Sequence, residues 1–335
     1  MTNAVRDTFS NVSTEIVSRA NPFKALGTDT NGLMSASQCM NKAGLDWSVD
    51  LHDCYVKVNG EFVKTTYNKI PVRSDNNYPF KAVGNRYVPF QNKDVFSFMD
   101  SVLDDSNSRY AYAGTFENGA IVYITIALGD EITIGDDKVA PYFTVINSHN
   151  GSTSIKAITT PVRITCENTL QLAVRNAVSS FSFRHTFNAS QKVAQAKKSL
   201  EIGYAYFDEF GKELNQLTEM SANVDDLKKI LDVVYPVVAE RTDIEGNILN
   251  EGAITKVKLA HNKIIENFEN ADSNSVVNNY WGVLNAINDW ELWSAEIRGN
   301  ASRFERQAKT SVNGRIHPIT DKAYDFIKEN YLINA

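Results

Sequence analysis

The chain has 335 residues, with 34 Lys plus Arg against 40 Asp plus Glu, a net charge of −6 and 43% apolar residues. Gly and Pro are few and there are three cysteines, which excludes a collagenous, low-complexity or disulfide-scaffold protein. No apolar run approaches the roughly 18 residues of a membrane span, and the first residues have no signal-peptide core, so the expectation is a soluble, cytoplasmic protein with no membrane partner.

Residues 1–20 read as an N-terminal arm. The first strong signal beyond it is Asn59-Gly60, between Tyr55-Val56-Lys57-Val58 and Phe62-Val63-Lys64-Thr65. Both central positions of a tight hairpin turn need positive φ, which Asn and Gly tolerate. Residues 81–90 read as a further strand. Asn92 reads as the cap of a short helix with Val95, Phe96, Met99, Val102 and Leu103 on one side. Glu117-Asn118-Gly119 separates two β-branched and aromatic runs, 110–116 and 120–128. His149-Asn150-Gly151 separates 142–147 from 153–160 in the same way. An antiparallel sheet is therefore expected over about residues 50–165.

Helical periodicity takes over beyond it. Residues 168–178 read as a helix, and Phe181-Ser182-Phe183-Arg184-His185 alternates like a strand. Val193, Ala196, Leu200, Tyr204, Phe207, Phe210, Leu214 and Leu217 then recur at three and four residues, one face of a long amphipathic helix. Further helices are expected over 224–238, 254–268, 276–297 and 320–331, with Ser273 and Thr320 as caps. Residues 240–252 read as a long surface loop. The fold class is α+β: a hairpin-rich antiparallel sheet in the first half, with long amphipathic helices packed on it in the second. The expected units are the arm, a β-rich α+β domain over 21–200, and a helical region over 201–335.

Several phrases then carry a family resemblance. They are Pro22-Phe23-Lys24-Ala25-Leu26-Gly27, Ala43-Gly44-Leu45-Asp46-Trp47, Arg73-Ser74-Asp75 and Val83-Gly84-Asn85-Arg86-Tyr87-Val88-Pro89-Phe90-Gln91-Asn92. Further along come Ser148-His149-Asn150-Gly151-Ser152, Val162-Arg163-Ile164-Thr165-Cys166-Glu167-Asn168-Thr169-Leu170, Arg184-His185-Thr186 and Trp281-Gly282-Val283-Leu284-Asn285-Ala286. In order and spacing, over about residues 20–295, they resemble a phage/plasmid-like protein family built on a domain of unknown function. The chain departs from that pattern at Phe23-Lys24, where many members have Trp-His, and at Asn150, where they have Asp. It also has Asn288-Asp289-Trp290-Glu291 in place of an acidic-aromatic-Asp-His run. The resemblance implies a mobile-element protein of DNA metabolism, with phage strand-annealing proteins as neighbours by analogy.

Charge is segregated along the chain. Residues 161–198 hold six bases and one acid, a net +5, and 201–251 are strongly acidic at −8. Residues 298–322 return to +4. Within the first stretch Arg163, Arg175, Arg184, His185, Lys192, Lys197 and Lys198 are interleaved with Phe181, Phe183 and Phe187. A cationic track with aromatic faces is the chemistry that holds single-stranded DNA. Arg73 and Arg86, beside Tyr87, join the candidate surface if their strands pack alongside. The same charges also suit a solvated helix face with the Phe rings in the core.

Two chemical alternatives are weaker. Cys166 with His185 has the makings of a thiol centre, but no third group or oxyanion hole can be named. Asp136, Asp137 and His149 are metal-ligand types without a spaced set, so no metal is assigned. No phosphate-binding or dinucleotide loop is present, and no cofactor is expected. Trp281, Trp290 and Trp293 read as core or, if exposed, as anchors for a protein partner on the C-terminal helices. The leading expectation is a non-enzymatic single-stranded DNA-binding protein, annealing strands as a homo-oligomer. A protein-interaction module is the alternative, and a hydrolase or metal-dependent enzyme the third.

Overall fold

The computed structural model describes residues 22–97, 99–103, 108–129, 131–163, 180–183, 198, 201, 205, 209–271, 276–296, 302–313 and 318–332. Among them are strands β1 (Gly27–Asp29), β2 (Val49–Val58), β3 (Glu61–Arg73), β4 (Val83–Gly84) and β5 (Arg109–Phe116). There follow β6 (Ile121–Ala127), β7 (Ile132–Ile134), β8 (Asp137–Ser148), β9 (Ile155–Arg163) and β10 (Ser180–Phe183). The large antiparallel sheet has the order β1-β5-β6-β8-β9-β10, with β7 added to β8, and β2-β3-β4 form a second sheet.

β6 is the centre of the large sheet. Its run Ile-Val-Tyr-Ile-Thr-Ile-Ala is buried throughout, as a strand covered on both faces must be. The period of two sorts the side chains. Val122, Ile124, Ile126, Phe143, Val145, Ile155 and Ala157 face one core, shared with helix α2 (Ala36–Lys42), α3 (Asn92–Phe96) and α4 (Met99–Leu103). Ile121, Tyr123, Ile146 and Ile158 face the other, where they meet Phe23 of α1 (Pro22–Leu26) and Ala308 of α9 (Arg303–Asn313).

The remaining helices are α5 (residues 209–219), α6 (Val224–Val234), α7 (Glu251–Glu269), α8 (Tyr280–Asp289) and α10 (Pro318–Ile327). They pack around α8, in which all ten residues are buried, and reach the sheet at Ile134 and Val139. Phe210, Leu214 and Leu217 are buried on α5, the part of the long amphipathic face that lies within the described residues. Loop 235–250 stands where a surface loop is expected, and Asp243 and Asn250 tie its backbone. No described helix is long and apolar enough to cross a membrane.

All three turns read from the sequence connect antiparallel strands. At Asn59-Gly60 the φ values are +51° and +92°, as a two-residue turn requires. Several expectations need correction. Residues 81–90 form a strand only at Val83–Gly84. Pro89 has no N–H to give a ladder, and the N–H of Tyr87 turns back to the Gly84 carbonyl. Asn92 does not cap α3, whose preceding residue is Gln91; its side chain is used elsewhere. Thr320 lies inside α10, and its capping comes from Glu291, which accepts from the Ile319 and Thr320 N–H groups at 3.0 and 2.8 Å. Helix α8 is capped by Asn279, which accepts from Gly282 N–H at 2.8 Å; Ser273, the expected cap, and residues 168–178 lie outside the described residues.

Candidate functional site

Four of the phrases that carry the family resemblance converge on one buried node. Trp47 follows α2, Arg73 ends β3, Asn92 begins α3, and His149 follows β8 at the turn into β9. The Trp47 and His149 rings lie 5.0 Å apart by centroids, and Phe80 stacks on His149 at 6.0 Å and 16°. On Trp47 also sits the Arg73 guanidinium, 4.2 Å from the ring centroid, a cation–π contact.

Arg73 donates three hydrogen bonds. Its Nε and Nη2 donate to the two carboxylate oxygens of Asp75 at 3.0 and 2.6 Å, and its Nη1 donates to the Asn118 carbonyl at 3.0 Å. This planar fork is a geometry that Lys cannot reproduce. The pair holds the Asp75 carboxyl below its usual range. Turn 117–119 is built around the guanidinium: Gly119 has φ +94°, and a Cβ there would lie 2.5 Å from Nη1.

The amides of Gln91 and Asn92 tie loops to strands. Gln91 accepts from Val49 N–H at 2.9 Å and donates to the Val49 carbonyl at 3.0 Å, as a neighbouring strand would. Asn92 donates to the Leu45 carbonyl at 2.9 Å, which leaves its oxygen to accept from His149 Nε2–H at 2.8 Å. Tyr87 donates to the Ser148 carbonyl, and burial pushes its phenol up to about 12.

His149 is completely buried, and its Nδ1 has no hydrogen-bond partner among the described residues. Burial first, and the Arg73 charge second, lower its pKa to about 4. The imidazole is therefore neutral at pH 7, sealed from solutes, and hydrogen-bonded through one nitrogen only. The node locks the small sheet to the turns at one end of the large one.

The other sequence candidates fall as follows. Asp137 opens β8 and His149 follows its end, so the two stand about 40 Å apart along an extended strand and cannot share a metal ion. Among the described residues no three His, Cys, Asp or Glu side chains are grouped to hold one. Arg73, expected on a cationic surface, is instead part of the node, with only 12% of its side chain exposed. Arg86 is exposed, beyond β4. Arg163 ends β9 opposite Val139, and Lys198 is helical and exposed. Arg175, Arg184, His185, Lys192, Lys197 and Cys166 lie outside the described residues. Trp281 and Trp290 are buried in the helical core, and Trp293 is half-buried against Phe304.

One surface was missed by sequence reasoning. The far part of the β2–β3 hairpin is exposed on both faces. Its register places Tyr55 opposite Lys64 and Lys57 opposite Phe62, so these four share one face, while Val56, Val58 and Val63 share the other. The available signal was the two-residue turn itself, which dictates these pairs.

No curated protein and no solved structure matches the chain. The family described as "Domain of unknown function (DUF932)" matches residues 79–312, from the start of the node's Phe80 segment into α9, and on that match the chain belongs to the DUF932 family.

Proposed function

We propose that this is a phage- or plasmid-encoded protein that binds single-stranded DNA without catalysing a reaction, and that it anneals strands as a homo-oligomer. The observation that carries the reading is the segregation of charge. In a chain of net −6, residues 161–198 hold a net +5 with Phe181, Phe183 and Phe187 interleaved. Cations take up phosphates and release counterions, and aromatic faces stack unpaired bases. Arg86 and Lys198 are exposed and available to the same polyanion. The buried node supports the reading indirectly: its one imidazole is sealed and its guanidinium is held by Asp75 and Asn118, so the motif residues there serve the fold.

The test is a triple variant, Arg184→Ala with Lys197→Ala and Lys198→Ala. Removing one cation from a phosphate lowers the log–log salt slope of single-strand binding by about 0.7, so the slope should fall by about 2. Unchanged binding and slope would contradict the assignment.

A second reading has its own observation. An open groove of about 590 Å³ lies between α7 and the turn at 290–296, with Leu259 exposed and Trp290 and Ala260 in its lining. It suits an apolar side chain of a protein partner. Co-purification of one protein at fixed stoichiometry, free of nucleic acid and abolished by Leu259→Lys, would favour this reading over the first.

A further inference from the structure

We infer that the far part of the β2–β3 hairpin is a second contact surface for single-stranded DNA, with Tyr55 and Phe62 stacking bases and Lys57 taking a phosphate. This deepens the single-strand reading and rests on it.

The hairpin is long, with ten residues in β2 and thirteen in β3. Beyond Cys54 every residue to the tip is exposed, so this part stands clear of the hydrophobic cores. An isolated two-stranded ribbon is marginal in water, and large rings on it gain little by burial. Phe62 is nevertheless 74% exposed and Tyr67 78% exposed.

The arrangement of the rings separates this face from an apolar docking surface. Along β2, Tyr55 is followed two residues on by Lys57; across the turn, Phe62 is followed by Lys64. The register sets each ring opposite a cation, so aromatic and ammonium groups alternate both along and across the ribbon. The core of a protein–protein patch is depleted of such charges. A single strand offers what the pattern asks for: base faces free to stack, and a phosphate between successive bases.

Charge decides which contact dominates. Lys64 and Lys69 both reach Asp53, at 2.6 and 2.5 Å, so their field is partly cancelled. Lys57 has no carboxylate partner among the described residues; its ammonium lies 5.8 Å from the Phe62 ring centroid. Stacking is therefore the main contribution of this surface, with one phosphate contact from Lys57. Arg86 is adjacent, since Asn85 bonds to the Thr66 and Tyr67 carbonyls of β3.

The experiment compares the full chain with Tyr55→Ala/Phe62→Ala and with Lys57→Ala, titrating a labelled single-stranded oligonucleotide and a duplex of the same sequence at several salt concentrations. The ring variant should bind the single strand at least about tenfold more weakly with an unchanged salt slope, because rings carry no charge. Lys57→Ala should lower the slope by about 0.7. Both side-chain sets are exposed, so the melting temperature should not move. If the native chain binds and the ring variant binds equally well, the hairpin surface is wrong while the single-strand reading stands. If the ring variant loses duplex binding to the same extent, stacking is wrong. If the native chain binds no single strand, both fall.

Discussion

At pH 7 His149 is an uncharged ring in a closed aromatic setting, and this has a measurable consequence. Its pKa is about 4 in the folded chain and about 6.5 in an unfolded one. Between those values the unfolded chain binds the proton and the folded chain does not, so stability rises with pH. The contribution is complete above about pH 6.5, is lost as pH falls toward 4, and levels off below that. The loss amounts to up to about 3 kcal/mol. Asp75 and Asp53 have lowered pKa values, so their contributions are lost only below the ordinary carboxylate range. Urea unfolding of the native chain and of His149→Gln from pH 7 to 4.5 checks this: the variant's curve should be flatter. Arg73 gives a second prediction. Arg73→Ala removes the Asp75 pair, the Trp47 contact and the Asn118 bond together, and should cost about 2 kcal/mol in the same assay, since the Asp75 carboxylate left behind is exposed to water. Arg73→Lys should recover only part. The motif residues were all visible in the sequence, and the meeting of Trp47, Arg73, Asn92 and His149 was not. They are separated by up to about a hundred positions, and only the pairing of the sheets brings them together.

Elements were legible wherever local chemistry decides them. Asn59-Gly60 and Asn118-Gly119 mark turns because the backbone there needs positive φ at both residues; at Asn150-Gly151 only Gly151 is positive, and the Asn150 side chain accepts from the Ser152 N–H. The helices with a wide apolar stripe were equally plain. Three helices were not read: α1, only five residues long, and α2 and α9. In α2 the buried residues are Ala36, Cys39 and Met40, too few and too small to set a period. Among the described side chains of α9 the buried ones are Gln307 and Ala308, and Gln307 is held by a hydrogen bond to the Leu292 carbonyl at 2.9 Å. The strand expected at 81–90 failed because its backbone groups are spent in a turn and a proline removes another. The capping of α10 was invisible for a different reason: Glu291 is about thirty residues away and acts across space. Glu291→Ala removes an acceptor for two N–H groups and the Thr320 hydroxyl, and should destabilise the chain by about 2 kcal/mol in thermal unfolding. An equal melting temperature would show that water replaces the carboxylate.

On the scale of the whole molecule, an α+β body presents charge in blocks. The large sheet is covered on both faces, with α2, α3 and α4 on one and α1 and α9 on the other, and the helical layer is centred on α8. That architecture followed from the change of period along the chain, from two to about 3.6. The candidate nucleic-acid surface was only partly legible. Its charge was in the composition of 161–198, but sequence could not tell that Arg73 is internal while the far part of the β2–β3 hairpin is external. Both carry cations beside aromatic residues. One cation–ring pair is closed by a carboxylate and a carbonyl, and the other is open to solvent.

The most direct test of single-strand binding is fluorescence anisotropy of a labelled single-stranded oligonucleotide, titrated with the native chain at several salt concentrations beside the matching duplex. The expected result is preferential binding to the single strand, with an affinity that falls steeply and linearly in log–log form as salt rises. No binding to either nucleic acid at low salt would contradict it.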